Sequence, residues 1–129
     1  MSFHLHIKKV PVMMVDTLSK NKEKYNMDNA KSAIDNCTIP WIYNVTNYMK
    51  PTGFMGNYIF ENHVLYIDVV ATDIKTYDGL NSGQIVLEEF ISHFEFEEDD
   101  GSVTIDIERL AGFIVCENPC NENGINRWE

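Results

Sequence analysis

Residues 84–108 read QIVLEEFISHFEFEEDDGSVTIDIE, and how they divide between helix and strand decides the fold. Ile85, Val86 or Leu87, Phe90 and Phe94 fall near helical spacing, and Ser82 stands in front of them as a cap. That spacing predicts a helix over 84–94 with Glu88 and Glu89 projecting outward from its middle. From His93 onward the pattern changes to alternation around Asp100-Gly101, the strongest short-range signal for a hairpin turn. With a two-residue turn there, Phe96 faces Ile105, Phe94 faces Ile107, Glu95 faces Asp106 and His93 faces Glu108. One face of the hairpin is then apolar and the other acidic. The cross-strand aromatic to β-branched pairs would each contribute roughly 0.2–1 kcal/mol beyond burial, and the facing carboxylates would oppose them by a similar amount.

Upstream, Phe3, Leu5 and Ile7 alternate with His4, His6 and Lys8, which predicts a half-buried strand. Residues 16–25, DTLSKNKEKY, have helix-compatible composition, and Asp28 can cap a second short helix over 29–37 before Pro40. Residues 41–49, WIYNVTNYM, predict a strand ended by Lys50-Pro51-Thr52-Gly53. Two further strands follow, Asn57 to Phe60 and Val64 to Asp73, joined by Glu61-Asn62-His63. The second is apolar almost throughout and reads as a central strand covered on both faces. Residues 75–83, KTYDGLNSG, read as a loop. GFIVCEN is a last strand before an irregular tail. The predicted fold is α+β, a largely antiparallel β-sheet of about six to seven strands with two to three helices packed on it, in a single domain spanning 1–129.

The net charge of -10 is confined to one part of the chain. Residues 1–87 hold eight acidic and eight basic side chains, whereas 88–129 hold twelve acids against Arg109 and Arg127. A field of one sign over the C-terminal third disfavours nucleic acid and anionic membranes as direct partners, and favours a basic protein surface. No run of residues has the length or apolarity of a signal peptide or a membrane span, so a cytoplasmic protein is expected, or one of the host-cell cytoplasm if its source is a phage or virus. Three cysteines, Cys37, Cys116 and Cys120, cannot all pair with one another and read as reduced thiols. The sequons at Asn36 and Asn44 are silent in that compartment.

Motifs for chemistry are weak. With Gly101 in the sixth position of an EF-hand loop, Phe96 and Ile107 would occupy the first and last ligand positions, and neither can ligate. His4 and His6 share a strand face but have no carboxylate beside them, and Cys116 and Cys120 lack the spacing of a zinc knuckle. Asp73-Ile74-Lys75 has the form of one nuclease fragment, and with Asp68 on the same face it would allow metal-assisted hydrolysis. Neither a P-loop nor a nucleophile elbow occurs. No catalytic residue, metal ligand or cofactor is assigned. The expected function is a non-enzymatic acidic binding protein that neutralises a basic protein surface, most simply an inhibitor of a nucleic-acid-handling enzyme of the anti-defence, nucleic-acid-mimic or toxin-immunity kind. Its partner-binding residues would be Glu88, Glu89, Glu95, Glu97, Asp99, Asp100, Asp106 and Glu108. Two alternatives stand behind it: a structural or assembly subunit of a virion or complex, self-associating through its sheet, and a metal-dependent hydrolase using Asp68 and Asp73.

Overall fold

The apolar run Val64–Ala71 forms an interior strand of the sheet. A computed structural model describes residues 5–38, 40–44, 50–117 and 122–129. In chain order the strands and helices are β1 (Leu5–Met14), β2 (Glu23–Tyr25), α1 (Met27–Asp35), β3 (Trp41–Asn44), β4 (Lys50–Glu61), β5 (Val64–Ala71), α2 (Ile74–Ser82), β6 (Ile85–Glu97) and β7 (Val103–Glu117). A short 3-10 helix, Gly124–Trp128, follows. β5 pairs antiparallel with β1 on one side and β4 on the other; Leu65, Ile67, Val69 and Ala71 turn into the core, while Val64, Tyr66 and Asp68 on the other face are half-buried. The β4–β5 hairpin closes on Asn62-His63, both with positive φ (52° and 67°), the backbone that a tight two-residue turn between twisted strands requires.

β7 organises the other half of the molecule. β6 pairs antiparallel along its whole length, while β2 and β3 pair parallel to it along its opposite edge. The sheet is therefore mixed, with antiparallel pairs in the majority, and the order β1-β5-β4-β3-β7 ends on β6. It curls until its outer strands β1 and β6 lie against each other, around a core in which Val12, Met13, Ile42, Ile67, Leu87 and Phe113 are fully buried. Each such side chain stabilises the fold by roughly 1.5–3 kcal/mol through removal from water. α1 packs against β7, and α2 against β1, β5 and β6.

The α+β class, the seven strands among the described residues and the helix near 29–37 agree with the sequence reading; β5 is paired on both edges, but only one of its faces is fully buried where both were expected to be covered. Five local expectations fail. Asp28 is not the cap of the helix near 29–37; it lies in the first turn of α1, whose N-cap position is Asn26. Residues 16–25 contain no helix: Asp16 and Lys22 take positive φ (55° and 61°), and the segment folds back into the short strand β2. Asp16 caps the next element instead, accepting the Met27 N–H at 3.1 Å. Lys50–Gly53 begins β4 where a strand terminator was expected, with Pro51 opposite Tyr43. The end of the predicted strand over 45–49 lies outside the described residues. The loop expected at 75–83 is α2, capped by Asp73 accepting Thr76 N–H at 2.7 Å and ended by Gly83 at φ 77°. The helix expected at 84–94 is the first three-quarters of β6.

Candidate functional site: the acidic arm

β6 runs from the body of the protein into solvent, and its acids change character along the way. Leu87, Glu89 and Ile91 point inward in its first half, opposite Val115, Phe113 and Leu110 of β7. An inward glutamate needs a partner, and Arg127 of the 3-10 helix supplies it. Its guanidinium binds Glu89 through both terminal nitrogens, at 2.6 and 2.7 Å, and Tyr25 Oη donates to the same carboxylate at 3.0 Å. Glu89 is 7% exposed. Glu88 accepts the Gly124 N–H at 3.3 Å and lies 3.7 Å from Arg127 Nε. Burial opposes the charge of Arg127, but Glu89 outweighs it and raises the pKa. Burial, with Glu89 next to it, also raises that of Tyr25.

The tail is thus tied down, where an irregular end was expected; residues 118–121 lie outside the described residues. Trp128 stacks under the Arg127 guanidinium, 4.6 Å from its carbon, and donates its indole N–H to Thr17 O at 3.0 Å. Glu88 and Glu89 do not project outward as the helical reading had it. They hold the C-terminal 3-10 helix against the sheet.

Beyond Ile91 every residue from Ser92 to Gly101 is exposed, although Ile107 and Ile105 opposite His93 and Glu95 on β7 are buried in the core. The turn has three residues, Asp99-Asp100-Gly101: Gly101 N–H donates to Glu98 O at 3.0 Å, Glu98 N–H to Ser102 O at 2.8 Å, and Gly101 sits at φ 86°. This is a turn followed by a left-handed glycine bulge, one residue longer than the two-residue turn inferred from Asp-Gly. The extra residue shifts the register by one and rotates partners across the ladder. Glu97 faces Val103, Phe96 faces Thr104, Glu95 faces Ile105, Phe94 faces Asp106 and His93 faces Ile107. The predicted separation into an apolar and an acidic face is therefore corrected. Phe94 and Phe96, each 54% exposed, stand on the outer face beside Asp106, while Glu95 and Glu97 share a face with buried Ile105 and half-buried Val103 but are themselves exposed at the sheet edge.

Of the eight acids expected to bind a partner, six lie in or next to this arm. Glu95, Glu97, Asp99, Asp100 and Glu108 are exposed and Asp106 is half-buried. Asp100 braces the turn: its carboxylate accepts Ser102 Oγ at 2.6 Å and Ser102 N–H at 2.9 Å, bonds that hold its pKa below the usual aspartate range. His93 Nε2 lies 3.5 Å from Glu95 Oε1.

The two edges of the hairpin differ. In an antiparallel ladder, alternate residues turn their N–H and C=O away from the partner strand. On β7 the outward-facing positions are 103, 105 and 107, and all are covered. Val103 N–H donates to Lys22 O at 2.9 Å, Ile105 pairs with Tyr25 of β2, and Asn29 closes on Ile107 with both ends of its amide, at 2.9 and 3.2 Å. Their partners on β6 are Glu97, Glu95 and His93, whose backbone groups face away from β7. Among the described residues, β6 has a ladder with β7 alone, and no backbone hydrogen bond from another element reaches 93–97.

The remaining candidates resolve into structural roles. Asp68 closes the β1 bulge, accepting Lys9 N–H at 3.1 Å with Lys8 Nζ at 3.4 Å, and the Lys9 backbone bond lowers its pKa. Asp73 caps α2, so Asp73-Ile74-Lys75 is a helix start and not a strand-end ligand pair. Cys116 lies beside Glu88 at 3.7 Å, and burial pushes its thiol up to about 12, which leaves it protonated and a poor nucleophile at neutral pH. His4 and Cys120 fall outside the described residues, and among those described no cluster of His, Cys, Asp and Glu could hold a metal ion. No described helix is long and apolar enough to cross a membrane. Trp41 is exposed, whereas Trp128 packs against the core.

No protein-family model and no curated protein sequence matches the chain. Among solved structures it is similar to the bacteriophage T4 capsid assembly protease, gp21, with a TM-score of 0.59 over 92% of this chain and 95% of that one, at 11% identity. At that identity the likeness is one of fold: an α+β protein built on a curled, mixed sheet.

Proposed function

We propose that this chain is a non-enzymatic binding protein whose β6–β7 arm docks on a basic protein surface, with Glu95, Glu97, Asp99, Asp106 and Glu108 as the contacting carboxylates and Asp100 as the brace of the turn. The observation that carries this reading is the arm itself, a hairpin whose β7 half packs in the core through Ile105 and Ile107 while its β6 half and tip are exposed, with acids along its length and exposed aromatics among them. Its field would steer a basic partner and make association fall steeply with salt. A nucleic-acid-handling enzyme, with a groove built for phosphate, is the partner class that suits it, and inhibition of such an enzyme by occupying that groove is the expected consequence. Glu88 and Glu89 leave the proposed contact set because Arg127 and the tail engage them. The test is capture from source-cell extract on immobilised protein and on its Glu95→Lys/Glu97→Lys variant. A basic protein retained by the first, eluted by rising salt and absent from the second, is the expected result. Equal retention on both columns overturns the reading.

A second reading, an assembly subunit of a phage particle or other complex, is favoured by the fold likeness to a capsid assembly protease. It is separated from the first by light scattering: a subunit forms a discrete oligomer that persists in high salt and in the charge-reversed variant.

A further inference from the structure

We infer that the occupant of the arm is an extended basic segment that adds to the open edge of β6 as a further strand. This rests on the proposed docking function and specifies its geometry. The edge at His93, Glu95 and Glu97 presents backbone N–H and C=O groups that no described residue bonds, directly across the hairpin from β7 positions whose equivalent groups are all taken. Such an edge recognises an extended chain through its main chain, while the flanking side chains select its sequence. On one side of an added strand stand Glu95 and Glu97, and on the other Phe94 and Phe96. A segment alternating Lys or Arg with apolar residues matches both at once, its cations against the carboxylates and its apolar side chains against the rings.

The same charges select against another occupant. A second copy pairing through this edge would set Glu95 and Glu97 of both copies near one another with no lysine or arginine in the arm to compensate, and like charges across a ladder are destabilising. The edge is therefore guarded against its own kind and open to a chain of opposite charge.

The probe is a blocked hexapeptide, Lys-Val-Lys-Val-Lys-Val, titrated into the full chain at low salt beside a version N-methylated at alternate residues, which keeps its charge and side chains but cannot complete the ladder. The expected result is binding of the first, loss of about tenfold or more on N-methylation, and loss of binding in the Glu95→Lys/Glu97→Lys variant. In the complex the amides of Glu95 and Glu97 become protected from hydrogen exchange. If both peptides bind equally and the charge-reversed variant does not bind, strand addition is overturned while docking by charge survives. If neither peptide binds, both fall. Because the N-methylated control alters only the peptide, the comparison that tests strand addition does not depend on a variant folding.

Discussion

β6 carries two pairs of glutamates that the sequence does not distinguish, and the structure treats them in opposite ways. Glu88 and Glu89, in the half of the strand that borders the core, are held by Arg127, Tyr25 and the Gly124 N–H. Glu95 and Glu97, a few residues on, meet solvent on an edge without a ladder partner among the described residues. The difference teaches that negative charge in this chain has two uses. In the first half of β6 it fastens the C-terminal 3-10 helix to the sheet, and in the second half it is exposed for contact.

That contrast is broken most severely at its inner half. Arg127→Met leaves Glu89 buried without its counter-ion, at a cost of about 3–5 kcal/mol and a fall in Tm on the order of 10 °C by thermal denaturation. Gly124→Ala acts on the same junction from the other side, since a Cβ there would meet Leu87 O at 2.5 Å. Displacing the tail should cost about 1–3 kcal/mol, read from the urea midpoint. At the tip, Gly101→Ala has open space around it but must keep φ 86°, so the loss is about 1 kcal/mol. Glu95→Lys/Glu97→Lys should change stability by no more than about 0.5 kcal/mol while removing binding to basic partners.

The smallest effect is a dependence on pH at Asp100. Its pKa is depressed in the fold by Ser102, so its support for the turn is present above the unfolded aspartate pKa of about 3.9 and disappears as pH falls through the lower folded value. The stability difference between the protein and Asp100→Asn should therefore be greatest near neutral pH and shrink on acidification. A difference that grows on acidification would contradict the assignment.

Much of the fold is legible where local and tertiary demands agree. Along Val64–Ala71 the core-facing Leu65, Ile67, Val69 and Ala71 alternate with Val64, Tyr66 and Asp68, which are half-buried, and Asn62-His63 marks its hairpin. The α2 and β6 segments are not legible, for a stated reason in each. Residues 74–82 have few strong helix formers, and α2 is set by its ends, Asp73 and Gly83. β6 hides its alternation because Glu89 occupies an inward position between Leu87 and Ile91, and the residue that permits this, Arg127, lies far along the chain in what reads as an irregular tail. The arm itself was recognisable from Asp100-Gly101 and its flanking acids. Its register was not, because a two-residue and a three-residue turn share the same Asp-Gly signature, and one residue decides whether Phe94 and Phe96 point into the core or away from it.

Hydrogen exchange along β6 in the free protein tests the central claim most directly. The claim predicts alternation in the arm, with Phe94 and Phe96 amides slowed by their bonds to β7 and Glu95 and Glu97 amides exchanging at nearly unstructured rates, while the amides that β6 directs to β7 beside Glu89 remain protected. Equal protection of Glu95 and Glu97 with Phe94 and Phe96 would show the edge already covered and contradict it.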